Sequence, residues 1–148
     1  MRVLILNGPN LNLLGTREVE KYGLASLDEI ERSLVQEGEE LGVEVVCVQT
    51  DHEGSLIHEI HEARGLFDGI VLNPGGLAHS SVALLDAVLA VSIPVVEVHI
   101  TNTQARESFR RGSLVARGVW GRLEGMGPLG YRWALKALVE HLKTRIKH

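Results

Sequence analysis

The chain has 148 residues and a mass of 16.2 kDa, which fits one domain spanning residues 1–148 and leaves no room for two ordinary ones. Its hydrophobic content of 45% is enough for a buried core, and its net charge of -4 lacks the basic excess of nucleic-acid binders. The single cysteine, Cys47, excludes an intramolecular disulfide and a thiolate-rich metal centre, and the first apolar run, residues 3–6, is too short for a signal or membrane segment. A reduced cytoplasm is therefore the expected location, with no membrane partner.

Short apolar runs alternate with stretches of helical period along the whole chain, a pattern typical of α/β folds. Strands are predicted at residues 3–6, 43–48, 69–72 and 94–100, with a fifth inside 112–127. Helices are predicted at residues 27–41, 55–64, 80–91, 104–111 and 129–146. Three cations, Lys143, Arg145 and Lys147, complement the dipole in the last helical turn.

The first of these helices has clear start and stop signals. Ser26 and Glu29 form a capping-box pattern at its start, and Gly42 follows its last turn. Ile30 and Leu34 lie on one apolar stripe between them.

The fifth strand is the least regular of the set. Arg122 and Glu124 interrupt its apolar run, which indicates an edge position. Five strands with alternating helices favour a flavodoxin-like, doubly wound parallel sheet in the order 2-1-3-4-5. In this order a ligand binds where the loops after strands 1, 3 and 4 meet.

Those three loops are rich in polar groups and glycine. Residues 7–25 form a segment too long for an ordinary connection, and Gly75 and Gly76 let the backbone approach a ligand before a helix N-terminus. This corner suits a small polar or anionic molecule.

Strand 4 contributes a carboxylate and an imidazole. Glu97 and His99 are two residues apart and share one face of the strand, whereas Val96 and Val98 face the other way. A solvated polar pair is the alternative. The location of His99 at the predicted switch point favours a catalytic role.

Tyr22 follows Arg17 by five residues in the long first loop. A tyrosine that acts as a base near pH 7 must be acidified by about 4 kcal/mol, because phenols ionise near pH 10. One guanidinium about 4 Å away supplies roughly that much at an effective dielectric of 20. The alternative is a packed tyrosine beside a solvated arginine.

Five motifs extend the pattern over nearly the whole chain: NGPNLNLLGTREVEKYG, NPGGLAHSSVALLDA, EVHITN, ARESFRRGS and GYRWAL. In order and spacing they resemble the type II 3-dehydroquinate dehydratases. The resemblance implies a flavodoxin-like lyase without metal or organic cofactor. Its reaction would convert 3-dehydroquinate to 3-dehydroshikimate by anti elimination through an enolate, the third step of the shikimate pathway toward chorismate and the aromatic amino acids.

The resemblance also implies roles for individual residues. Tyr22 would be the base, Arg17 would hold the phenolate charge and close the loop, and Asn10 would position a water on the enolate. His99 would be the general acid, oriented by Glu97. Substrate contacts would come from Asn73, Gly75, Gly76, His79, Arg110 and the backbone N–H groups of Ile100 and Thr101.

Two further positions follow from the same resemblance. Asp86 corresponds to a residue that the family contributes across a trimer interface, and such trimers assemble to a dodecamer. Arg106 matches another arginine of the motif, with a supporting role near Tyr22. Pro74 and the charged stretch 112–124 depart from the usual pattern of the family.

Two alternatives stay open at this point. A non-catalytic flavodoxin-like module binding FMN or phosphate would use the same switch point, and a flavin would colour it yellow. The histidines His52, His58 and His61 lack the i, i+4 pair of a helical zinc site, so a solvated helix face explains them better than a metal.

Overall fold

The computed structural model describes residues 1–146, so Lys147 of the predicted last turn lies outside the described residues. Its centre is a parallel five-stranded sheet in the order β2-β1-β3-β4-β5, which confirms the predicted topology. The strands are β1 Arg2–Asn7, β2 Glu44–Gln49, β3 Gly69–Asn73, β4 Val95–His99 and β5 Gly121–Glu124.

The helices are α1 Val19–Tyr22, α2 Leu27–Leu41, α3 Glu53–Glu62, α4 Val82–Ala90 and α5 Leu129–Ile146. The Ser26 cap of α2 is confirmed, because its hydroxyl accepts the N–H of Glu29 at 3.2 Å. Gly42 ends the helix with a φ of 73°, the left-handed conformation that glycine adopts without strain. Within residues 1–146, no helix is long and apolar enough to cross a membrane.

Helices cover both faces of the sheet and create two apolar layers. One layer joins α2 and α5 to the sheet through residues such as Leu34, Leu135 and Val98. The other joins α3 and α4 through Leu56 and Leu84. Along β4, Val96 and Val98 therefore face the layer of α2 and α5, whereas Glu97 and His99 point to the opposite face of the sheet.

The predicted helix at residues 104–111 is wrong. Two single turns of 3-10 helix, Thr103–Ala105 and Ser108–Arg110, replace it. Between them the backbone of Arg106 is extended, with φ -106° and ψ -165°, and its side chain reaches away to Tyr22. The amphipathic pattern of residues 104–111 predicts a helix from local signals alone. The observed backbone instead accompanies the long-range hydrogen bond between Arg106 and Tyr22.

The start of α4 also differs from its prediction at residue 80. A 3-10 turn, Gly75–His79, comes first, and Ser81 then caps α4 by accepting the N–H of Leu84 at 2.9 Å. The fifth strand lies at the sheet edge as predicted, with Arg122 and Glu124 half-buried.

Candidate active site

A cavity of about 200 Å³ opens at the carboxyl ends of β1, β3 and β4, the predicted switch point. The last residues of β1 and β3, Asn7 and Asn73, are partners in the ladder, so the loops that follow them start side by side. Most of the predicted site residues line this cavity: Asn10, Arg17, Tyr22, Asn73, Gly75, Gly76, His79, His99, Ile100, Thr101 and Arg110. Glu97 and Asp86 do not.

The hydroxyl of Tyr22 receives hydrogen bonds from two arginines. Arg106 Nη1 lies 2.9 Å from the Tyr22 oxygen and Arg17 Nη2 lies 3.3 Å from it. The Arg17 guanidinium also stacks over the ring, 4.6 Å from its centroid. Tyr22 is buried against the core, with 9% of its surface exposed, and its oxygen faces both cations.

Arg106 is the nearer cation, although the sequence motif implies only a supporting role for it. It lies 84 residues from Tyr22 in the chain, and no local pattern connects the two. The available signal was its place in the motif ARESFRRGS. Arg106 Nη1 also donates to the Thr101 hydroxyl at 3.3 Å, which joins the tyrosine to the loop after β4.

Each of these arginines has a carboxylate beside it at the rim. Arg17 Nε lies 3.6 Å from Glu18, and Arg106 Nε lies 3.6 Å from Glu107. A hydrogen bond from Lys21 lowers the pKa of Glu18, and a hydrogen bond from its own backbone lowers the pKa of Glu107. Both carboxylates are therefore anionic at neutral pH and offset part of the cationic charge.

A short glycine-flanked segment carries Tyr22. Gly15 and Gly23 have φ values of 91° and 83°, and α1 lies between them. Gly23 accepts its positive φ without strain because it lacks a Cβ. This segment places Tyr22 at the cavity wall.

On β4, His99 and Glu97 form a buried pair. Nε2 of His99 lies 2.5 Å from Oε1 of Glu97, and the Glu97 side chain is 0% exposed. The Ser113 hydroxyl donates to the same carboxylate at 2.8 Å, and Arg122 Nε approaches it at 3.6 Å. Glu97 thus contacts His99 and not the cavity, which leaves Nδ1 of His99 as the ring nitrogen available to a ligand.

Arg122 links this pair to the sheet edge. It donates to Thr103 at 3.3 Å and to Glu124 at 3.2 Å, and Thr103 in turn bonds Glu124. The two charges that interrupt the fifth strand therefore satisfy each other behind Glu97. The sequence pattern predicts their edge position but carries no signal for this connection.

The loops after β3 and β4 supply the polar groups on the remaining cavity wall. Within residues 1–146, no protein acceptor takes the backbone N–H of Ile100 or of Thr101. His79 Nδ1 donates to the Gly112 carbonyl at 2.6 Å, which leaves its Nε2 free, and its ring stacks 6.3 Å from that of His99. Arg110 bonds Glu107 at 3.0 Å and lines the cavity.

Asn10 is exposed at the cavity edge in a left-handed conformation, with a φ of 69°. Its backbone N–H donates to Asp51 at 3.0 Å, and Gln49 Nε2 donates to the same carboxylate at 3.1 Å. These two contacts hold the turn, and neither involves the Asn10 side chain. Among residues 1–146, no group of three histidine, cysteine or acidic side chains is placed to hold a metal ion.

Asp86 lies apart from this cavity, exposed on α4. Val82 and Leu89 on the same helix are 58% and 62% exposed. The spacing of the three residues places them on one side of the helix.

Comparison with known proteins supports one family over nearly the whole chain. The family model described as dehydroquinase class II matches residues 1–139. The 3-dehydroquinate dehydratase of Gloeobacter violaceus is 51% identical over 98% of this chain and 91% of its own length. That of Bacillus cytotoxicus is 52% identical over 95% of this chain and 97% of its own. A type II dehydroquinase structure from Butyrivibrio crossotus superposes with a TM-score of 0.92 at 41% identity, covering 93% of this chain and 97% of that one.

Fold and cavity together define a doubly wound α/β protein with a cavity at the switch point, where proteins of this class bind their ligands. Within that class, the chain belongs to the class II dehydroquinase family. The family dehydrates 3-dehydroquinate in the shikimate pathway, and its members act on a small-molecule substrate.

Proposed function

We propose that this chain converts 3-dehydroquinate to 3-dehydroshikimate by an anti elimination in which Tyr22 is the base and His99 the acid. The observation that carries the proposal is the Tyr22 hydroxyl, which accepts hydrogen bonds from Arg106 and Arg17 on the wall of the cavity that His99 also lines. The whole chain acts as one catalytic domain.

The base half of the reaction needs a phenolate. Ionising a free phenol at neutral pH costs about 4 kcal/mol. A guanidinium at contact distance offsets roughly this much at an effective dielectric near 20. Two guanidiniums donate to Tyr22, and Glu18 and Glu107 beside them offset part of their positive charge.

In the first step the Tyr22 phenolate takes a proton from the carbon beside the ketone. The electron pair of that C–H bond moves to the ketone oxygen and forms an enolate. A water held by Asn10 donates to this oxygen, as in an oxyanion hole. Arg17 and Arg106 favour the phenolate before the step and hold the neutral tyrosine in place afterwards.

In the second step the enolate collapses and expels the hydroxyl group as water. Protonated His99 supplies the proton through Nδ1, because Nε2 is bonded to Glu97. Glu97 fixes the ring orientation, and its negative charge stabilises the imidazolium until the proton leaves. Ser113 holds the carboxylate in turn.

The remaining groups orient the substrate. Its carboxylate would accept the backbone N–H groups of Ile100 and Thr101, and its ring hydroxyls would contact Asn73, His79 and Arg110. Gly75 and Gly76 let the loop approach the ring closely. This assignment is supported by the position of all these residues in the lining of the cavity.

The proposal extends to assembly and location. Asp86 would complete the site of a neighbouring subunit in a trimer, and trimers would form a dodecamer. Support comes from the exposure of Asp86 beside the apolar Val82 and Leu89. We place the protein in the cytoplasm, the compartment where an unpaired cysteine such as Cys47 is ordinary.

Purified protein mixed with 3-dehydroquinate tests the proposal directly. We expect ultraviolet absorbance to rise as the conjugated enone of 3-dehydroshikimate forms, without added metal or cofactor. A yellow preparation with no absorbance rise would contradict the lyase and support the flavin-binding alternative.

A further inference from the structure

A buried chain of hydrogen bonds lies under the cavity floor and ends at the loop after β3. Asn73 Oδ1 accepts the N–H of Gly75 at 3.1 Å, and Asn73 Nδ2 donates to the Tyr131 hydroxyl at 2.8 Å. Tyr131 in turn donates to Asn7 Oδ1 at 2.6 Å, and Asn7 Nδ2 donates to Glu31 at 3.3 Å. This row of hydrogen bonds therefore connects Glu31 on α2 with Gly75, which lines the cavity.

The three central members of this hydrogen-bond chain are buried. Tyr131 and Asn7 are 0% exposed and Asn73 is 2% exposed. Burial raises the pKa of Tyr131 well above its usual range, so its hydroxyl keeps its proton and remains a donor. A buried polar group that loses its partner has no water to replace it, and such networks fix one geometry.

The Tyr131 hydroxyl lies at the centre of these hydrogen bonds, between Asn73 and Asn7. Asn7 and Asn73 end neighbouring strands in register, and each precedes a loop that lines the cavity. Those loops are already in close contact, because the Gly8 N–H donates to the Asn73 carbonyl at 2.8 Å and a Cβ on Gly75 would meet the Pro9 carbonyl at 3.0 Å. Tyr131 is the side chain that bonds both asparagines.

We infer that Tyr131, on the far helix α5, is a positioning residue that sets the amide orientation of Asn73 and, through it, the Gly75 turn against which the substrate binds. The inference rests on the proposed function, because it assigns the turn to the 3-dehydroquinate site. Tyr131 itself does not line the cavity. Its effect therefore concerns substrate affinity and not the proton transfers.

The main variant is Tyr131→Phe, which removes one oxygen and keeps the ring. Asn73 Nδ2 and Asn7 Oδ1 then lose their shared partner. We expect the KM for 3-dehydroquinate to rise by about tenfold, the scale of one lost hydrogen bond, with kcat within about threefold of wild type. An unchanged KM overturns the inference, and so does a collapse of kcat, whatever the KM.

Val139→Ala is the matched control. Val139 is 0% exposed in the same helix, and its side chain is apolar and takes part in no hydrogen bond. It should lower the melting temperature and leave KM and kcat unchanged. A comparable rise in KM in this variant would show that general loosening of α5 suffices, which overturns the specific role of the hydroxyl.

A second variant and a second measurement cover the cases in which Tyr131→Phe does not fold or the wild type is inactive. Asn7→Ala removes the acceptor of Tyr131 and should raise KM by about threefold, a smaller loss because Asn73 keeps its partner. Hydrogen exchange at the Gly75 amide needs no turnover and should be at least about tenfold faster in Tyr131→Phe. Wild-type exchange at Gly75 would overturn the inference, whereas an inactive wild type would contradict only the proposed function.

Discussion

At the scale of single residues, the site contains two cations for one phenol. Arg106 comes from the loop after β4 and Arg17 from the loop after β1, so the Tyr22 oxygen is fixed only when both loops are folded. Through Arg106, the proposed base Tyr22 is connected to the loop that follows His99 on β4. Through Arg17, it is connected to the loop after β1. An incompletely folded site therefore lacks at least one of the two hydrogen bonds to the Tyr22 hydroxyl.

Tyr22→Phe removes the proposed base and keeps the ring packed against the core. We expect turnover to fall by at least about 10³-fold, within the range that general-base catalysis contributes, while the product still binds. Absorbance kinetics and calorimetry with 3-dehydroshikimate measure the two effects. Turnover near the wild-type rate would exclude Tyr22 as the base.

Arg106→Ala and Arg17→Ala separate the contributions of the two cations. In each single variant, the rising limb of the pH–rate profile should move to higher pH by about one unit or more, because the phenolate loses one of its two counter-charges. Arg106→Ala should have the larger effect, since Arg106 is nearer the oxygen, at 2.9 Å against 3.3 Å.

Arg111→Ala is the matched control for this pair, because Arg111 is an exposed arginine in the same segment and does not line the cavity. Its profile should match that of the wild type. Equal profiles in all three variants would show that another group carries the counter-charge.

At the scale of elements, α2 and α5 are joined on one face of the sheet by a carboxylate with two cations. Glu37 Oε2 lies 2.5 Å from Arg132 Nη2, and Glu37 Oε1 lies 2.9 Å from Lys136 Nζ. Hydrogen bonds from Lys136 and then Arg132 lower the pKa of Glu37. These two ion pairs join α2, which carries Glu31, to α5, which carries Tyr131.

Glu37→Gln tests this junction through its pH dependence. A carboxylate with a lowered pKa stabilises the fold above the ordinary glutamate range, about pH 4.3, and this stabilisation is lost as the pH falls through the folded-state pKa. The variant should therefore have a lower urea midpoint than wild type at pH 7, and the difference should shrink by pH 3.

Glu40→Gln removes an exposed carboxylate from the same helix and should change the midpoint little at either pH. A Glu37→Gln difference that persists undiminished at pH 3 would assign the effect to packing and not to charge.

At the scale of the whole molecule, the cavity contains the proposed acid and base, whereas Asp86 faces outward on α4. The proposed trimer would bring Asp86 to the cavity of a second copy. The apolar residues beside it, Val82 and Leu89, would be buried in the same contact. Assembly would then be part of catalysis and not only of stability.

Mixed oligomers test this arrangement. Tyr22→Phe and Asp86→Ala should each be impaired alone. When both variants are co-expressed and purified as one oligomer, some sites combine an intact Tyr22 with an intact Asp86 from the neighbour. Activity above the sum of the separate variants is expected, and its absence would place Asp86 outside the neighbouring site.

The α/β class, the strand order and the loops that form the site can all be predicted from the sequence alone. These features follow from local signals: apolar runs, the Ser26 cap, Gly42, and the rule that parallel strands gather their carboxyl ends at one edge. The motifs added Tyr22, Arg17 and His99, and the cavity contains all three.

The contacts between groups that are far apart in the sequence become visible only in the folded molecule. The hydrogen bond from Arg106 to Tyr22 joins residues 84 positions apart, and the bond from Asn73 to Tyr131 joins residues 58 positions apart. The first of these contacts accompanies the extended backbone that replaces the predicted helix at residues 104–111. Periodicity reports which side of an element is apolar and carries no information about the partner of a polar atom. That partner is set by packing, because a buried polar group must find its hydrogen bond wherever the fold supplies one.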